Sequence, residues 1–278
     1  MADLPVSGLK HVIKIKVRDK WGAEAAYTGN RIVLWDDNGP LVSVPAEGLT
    51  PSNQDKESVE VVWHCGAMSW NSAAIAGADT LTVPGITVPA QEGGFNGGML
   101  LVAIGHDDGT TQAPVAISTV TWNGESLSPV TEQAAGANTS LTTYLLEEPT
   151  PGTGDLVVTF DASCDSAVAG ALFVDNATSL EVAAGAAGTG TAVLADAGAL
   201  GQDDNMDFAF LLLRGTSLTA DPALTTGWEQ HGPCTAAAGP PRLCLYSFCA
   251  VENSSMNSNV AITMPESKPW ACIVGSVK

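Results

Sequence analysis

The chain has 278 residues, 45% of them hydrophobic and only 15% charged, with a net charge of −19. Disordered chains are poor in apolar residues and rich in charge, so this composition predicts a folded protein with a sizeable core. The acidity argues against phosphate-directed binding of nucleic acid or attachment to an anionic membrane surface, and no run of 18 apolar residues predicts a membrane span.

The charge is unevenly distributed. Residues 1–60 hold seven of the eleven basic residues against nine acids, and residues 61–278 hold four against 21. Between Lys56 and Arg214 there are 157 residues without a lysine or arginine, and 19 acids in the same stretch. Such a segment has almost no capacity for internal ion pairs, so its stability must come from apolar burial and backbone hydrogen bonds.

The start, Met1-Ala2-Asp3-Leu4-Pro5, carries no basic segment followed by an apolar run, so no signal peptide is expected and synthesis in the cytoplasm is. Residues 1–62 read as a small β unit. His11–Arg18 alternates apolar and charged, with Ile13, Ile15 and Val17 expected inward. Arg31–Trp35 is a second strand, Asp36–Pro40 a turn, Leu41–Val44 a hairpin partner and Val59–Trp63 a fourth strand. Four short strands make a marginal core, so this unit is expected to dock on a neighbour.

Residues 63–278 read as strand after strand. Apolar or alternating runs lie at Thr80–Val83, Gly98–Ile104, Val115–Trp122, Leu141–Leu146, Leu156–Phe160, Val168–Val174, Asp207–Leu213, Arg242–Ala250, Val260–Met264 and Trp270–Val277. Gly, Pro, Asn and Asp punctuate them, a spacing that predicts an all-β sandwich or barrel. Ala183–Leu200, rich in Ala and Gly, reads as a crossing loop or a small-residue strand pair, with a helix at Thr191–Ala197 the lesser alternative.

The string Val120-Thr121-Trp122-Asn123-Gly124-Glu125-Ser126-Leu127 offers a positive-φ hairpin turn at Asn123-Gly124. Tyr144-Leu145-Leu146 ends a later strand, and Pro149–Val158 contains a Pro/Gly stop followed by alternating valines. Ala169–Asp175 is a small-residue strand, and Trp270–Lys278 an apolar closing one. Together these resemble a jelly-roll-like β-sandwich domain of phage structural proteins and bacterial surface proteins, over roughly residues 65–278. The resemblance implies an antiparallel jelly-roll-like sandwich and no catalytic residues.

Candidate chemistry is sparse. His11, His64, His106 and His231 sit in no catalytic signature, and neither a Gly-x-Ser-x-Gly elbow nor His-Glu-x-x-His occurs. His106-Asp107-Asp108-Gly109 reads as a turn, with metal seating as the alternative. Asp203-Asp204-Asn205-Met206-Asp207 offers oxygen ligands suited to calcium but lacks EF-hand spacing. Glu147 and Glu148 are adjacent, point to opposite faces of a strand and cannot act as a glycosidase pair.

Cys65, Cys164, Cys234, Cys244, Cys249 and Cys272 lack paired metal spacing and read as buried thiols, with one disulfide through Cys234 as the alternative. Cys244 and Cys249 should lie on opposite faces of one strand. Trp35, Trp63, Trp122 and Trp270 fall on strands and are expected in the core. Trp21, Trp70 and Trp228 lie near turns, where packing competes with a role in stacking on a sugar or partner. No catalytic, cofactor or metal residues are assigned.

The expected function is therefore non-enzymatic. The first expectation is a virion component, either a capsid decoration (cement) protein or a head or tail fibre component. Its partners would be a major capsid or tail protein and copies of itself in a closed oligomer, for which a trimer is the expected form. The alternatives are a carbohydrate-binding or adhesive surface module, with a glycan as partner, and a self-assembling filament subunit.

Overall fold

The structure is a computed structural model. It describes residues 13–18, 24–26, 35–36, 39–40, 58–63, 66–89, 98–109, 114–175, 177–200, 205–215, 218, 220–225, 227–231, 235–237, 242–251 and 257–278, with side chains from Trp70 onward except at Ala237, Val251 and Asn257. The chain divides into two compact units, Met1–His64 and Cys65–Lys278. Every described regular element is a strand, and among the described residues no helix is long and apolar enough to cross a membrane.

The first unit holds β1 (Ile13–Arg18), β2 (Glu24–Ala26), β3 (Trp35–Asp36), β4 (Gly39–Pro40) and β5 (Ser58–Trp63). β1 is the centre of an antiparallel three-stranded sheet, with β2 and β5 on its sides. β3 and β4 pair antiparallel, Trp35 opposite Pro40 and Asp36 opposite Gly39. The inward side chains expected at Ile13, Ile15 and Val17, and the strand expected at Leu41–Val44, lie outside the described residues.

The second unit opens with β6 (Gly66–Ile75), β7 (Ala78–Val88), β8 (Gly98–Asp107), β9 (Ile117–Trp122), β10 (Glu125–Ser126), β11 (Ser128–Ala134), β12 (Thr139–Glu147), β13 (Gly152–Cys164) and β14 (Ser166–Asp175). One sheet runs β11-β12-β8-β14-β6 and the facing sheet β10-β9-β13-β7, antiparallel throughout. β10 and β11 are one strand that changes sheets at Leu127. Counted so, the eight strands interleave as one-eight-three-six against two-seven-four-five, which is jelly-roll topology. The β9–β10 hairpin turns at Asn123 (φ 48°) and Gly124 (φ 86°), the two positive values that an Asn-Gly turn supplies.

The remaining residues build a third sheet from β15 (Leu180–Ala199), β16 (Met206–Arg214), β17 (Ala223–Leu224), β18 (Trp228–Gln230), β19 (Thr235–Ala237), β20 (Leu243–Val251) and β21 (Asn257–Val277). Its order is β15-β21-β16-β20-β18, with β17 on β21 and β19 on β20. The jelly roll therefore closes with β14. The Trp270–Val277 segment, expected as the closing strand, lies inside the third sheet between β15 and β16.

Three apolar layers follow from this stacking. Leu81, Val83, Trp122, Leu156 and Val158 meet Leu100, Val102, Ile104 and Phe173 inside the jelly roll. Met99, Leu101, Val168 and Leu172, on the other face of β8 and β14, meet Phe208, Phe210, Leu212, Leu245 and Ile273 of the third sheet. The third sheet then curls, so that Val193, Val260, Ile262 and Met264 cover its other face at Leu211, Tyr246, Phe248 and Val274. Cys244 belongs to that outer layer and Cys249 to the inner one, as their spacing predicts.

Small residues make room where the sheets approach. The Trp70 ring stacks at 5.8 Å on Phe210 and lies directly over Gly170, its neighbour strand's residue two registers from Leu172. A methyl group at Gly170 would occupy the volume of that ring. The substitution Gly170→Ala is therefore expected to destabilise the second unit by roughly 2–3 kcal/mol through overpacking, measured as a fall in the denaturation midpoint without loss of strand content.

Candidate functional site

β10 pairs with β9 at Thr121 and Trp122, and among the described residues the first half of β9 has no strand partner on that side. Opposite that edge the larger sheet continues through β12 and β11. The resulting cleft, about 590 Å³, is lined by His106 of β8, Pro114–Ile117 leading into β9, Pro129–Glu132 of β11, and Thr142 and Tyr144 of β12.

His106 shares its strand face with Leu100, Val102 and Ile104, which carries it to the end of the jelly-roll core. The residue is 3% exposed, its ring lies 5.5 Å from Phe160, and its Nδ1 is buried with no hydrogen-bond partner among the described residues. Burial lowers its pKa from the ordinary 6.5. The charges of Asp108, Glu132 and Asp107, and the Val115 backbone, oppose that shift without cancelling it. Tyr144 is half-buried, and desolvation followed by the Glu132 charge raises the pKa of its phenol. Glu132 is exposed and accepts a hydrogen bond of 2.5 Å from Ser140 Oγ.

The neighbouring Asp107 takes the opposite face of β8 and does different work. It is fully buried, and its carboxylate accepts from Arg214 Nε at 2.8 Å, from Gly109 N at 2.8 Å and from Thr139 Oγ1. Arg214 also reaches the Gly109 carbonyl at 3.4 Å. Asp108 accepts from the Val115 amide, and Asn138 Nδ2 donates to the Gly109 carbonyl. His106-Asp107-Asp108-Gly109 is thus a tied corner whose side chains diverge, rather than a convergent ligand set.

The other candidates are dispersed. Asn205 donates to Glu181, and Asp207 is buried on the curled side of β16, while Asp203 and Asp204 lie outside the described residues. Glu147 and Glu148 are both exposed at the end of β12, Glu148 with φ 49°. His231 donates its backbone amide to Ser247, and His11 and His64 lie outside the described residues.

Trp122 and Trp270 are core residues, and Trp70 and Trp228 pack against apolar layers. The side chains of Trp21, Trp35 and Trp63 lie outside the described residues. Cys164, Cys244, Cys249 and Cys272 are buried thiols outside any disulfide. Desolvation pushes Cys249 and Cys272 up to about 12. Cys65 and Cys234 lie outside the described residues.

Of the cleft residues, only His106 stands out in the sequence as a candidate. The shared parity of Thr142 and Tyr144 on one strand places them on one face, but nothing in the sequence joins that face to Glu132 or to the β9 edge. Comparisons of the chain with protein-family models, curated proteins and solved structures return no match.

Two outcomes follow. Because the folded-state pKa of His106 lies below its unfolded value, the unfolded chain binds the extra proton first as pH falls. Stability contributed by the neutral ring is full above pH 6.5 and declines below it. Thermal unfolding between pH 7.5 and 5 should show a decline that is shallower in His106→Gln. Separately, Arg214→Met leaves the Asp107 carboxylate buried without its counter-charge. It should cost about 3 kcal/mol in a urea titration, the lower end for a broken buried pair because Arg214 is partly exposed.

Proposed function

We propose that this protein is a non-enzymatic structural component of a virus particle, a capsid decoration protein or a head or tail fibre component. The observation that carries this reading is the jelly-roll topology of residues 66–175, an architecture recurrent in capsid and lectin domains. Fold alone does not assign function. The charge distribution adds support. Residues 57–213 carry no lysine or arginine, which suits a surface that stays soluble and does not adhere to nucleic acid.

In this reading residues 1–62, which carry most of the basic residues, make the contact with a major capsid or tail protein. Copies of the chain assemble with closed symmetry, a trimer being the arrangement suited to a threefold site. The acidic second unit gives the exposed part of the particle its charge.

The deciding experiment is mass spectrometry and cryo-electron microscopy of purified particles from the source that encodes the chain. Recovery of the protein in stoichiometric amount, with symmetric density on a shell or fibre, is expected. A protein absent from every particle fraction overturns the reading. A variant lacking residues 1–62 that still decorates particles normally overturns the docking role of that segment.

A further inference from the structure

The cleft between β9, β11 and β12 has a chemistry that the particle reading does not use. Its charged group is the Glu132 carboxylate, and the hydroxyls of Thr131, Thr142 and Tyr144 can each donate or accept. Among the described residues no lysine or arginine lines it. Arg214, the first cation after the gap, is held by Asp107 on the other face of β8.

Two ligand classes are disfavoured by these facts. An anion would meet a carboxylate and no positive partner. A hard divalent ion needs several oxygen ligands converging at one point, whereas the lining offers a single carboxylate.

We propose that this cleft binds a small organic cation, a protonated or quaternary amine attached to an apolar body. Glu132 supplies the countercharge, and Tyr144 is the aromatic residue of the wall, the partner an ammonium group prefers. Pro114, Ile117, Pro129 and Val130 offer apolar surface for the body of the ligand. His106, 3% exposed, closes the buried end of the wall. The volume of about 590 Å³ falls in the range of small-molecule pockets. This inference stands independently of the particle assignment.

The test is isothermal titration calorimetry of the full chain with choline, n-butylammonium and lysine methyl ester, alongside methyl glucoside and sodium acetate. Two variants accompany the wild type. Glu132→Gln keeps the acceptor that Ser140 uses while removing the charge, and Thr131→Lys places a cation on the wall. Saturable binding of at least one ammonium probe is expected, about tenfold weaker in Glu132→Gln and lost in Thr131→Lys, both variants unfolding near the wild-type midpoint. Displacement of the His106 imidazole resonances by the same probe locates the site. Absence of saturable ammonium binding overturns the proposal, as do affinity unchanged in both variants and selective binding of methyl glucoside or acetate.

Discussion

The constraint that organises the second unit is the burial of one sheet on both faces. β8 and β14 lie between the other jelly-roll sheet and the third sheet, so every β8 residue from Gly98 to Asp107 is buried. A half-exposed strand alternates apolar and polar residues, but a strand covered on both sides cannot. Hence Met99-Leu100-Leu101-Val102-Ala103-Ile104 is continuous, and its odd and even members serve two different apolar layers. The same constraint propagates to β16, which is covered by the middle sheet on one face and by the curled part of its own sheet on the other.

Polar groups survive at the ends of such strands only when they are satisfied. Asp107 shows how. It terminates the buried run of β8, and its carboxylate accepts from Arg214, from the Gly109 amide and from the hydroxyl of Thr139, its register partner on β12. Arg214 terminates β16 in the same way, and the two ends meet. The Arg214–Asp107 salt bridge therefore joins the jelly roll to the third sheet, at the rim where Arg214 keeps part of its hydration. Removing one member exposes the desolvation cost of the other, so the loss on substitution exceeds what the intact pair contributes.

Much of this was legible in the sequence, for local reasons. The long apolar runs of β8, β12, β14, β16 and β20 announce themselves, Asn123-Gly124 encodes its own turn, and strand parity separates Cys244 from Cys249. What was hidden depends on distant neighbours. β6 reads Gly-Ala-Met-Ser-Trp-Asn-Ser-Ala-Ala-Ile, without alternation, because it is shaped by the Trp70 fit over Gly170. β15 was read as a loop or a small-residue strand pair. It is one strand paired along β21, and its small residues leave space for side chains such as Trp270, which crosses Gly188. Of the cleft, His106 was visible, but its meeting with Thr142 and Tyr144 is a property of sheet order.

β21 shows how prolines can sit inside a strand of 21 residues. The sequence suggested two strands, Val260–Met264 and Trp270–Val277, separated by Pro265 and Pro269. In the structure β16 pairs with β21 only from Trp270 onward, and β17 only at Ile262 and Thr263. Between these points β15 is the one neighbour among the described residues, with Lys268 opposite Gly190 and Pro269 opposite Thr189. A proline there forfeits no ladder bond on the open side. The register also shifts between Gly190 and Ala192, where Gly190 takes φ 151°. The proline-bearing segment and the irregularity opposite it are therefore where the ribbon bends. That bend brings Val193, Val260 and Ile262 over Leu211 and Phe248, so the residues that seem to break the strand are those that let its sheet cover itself.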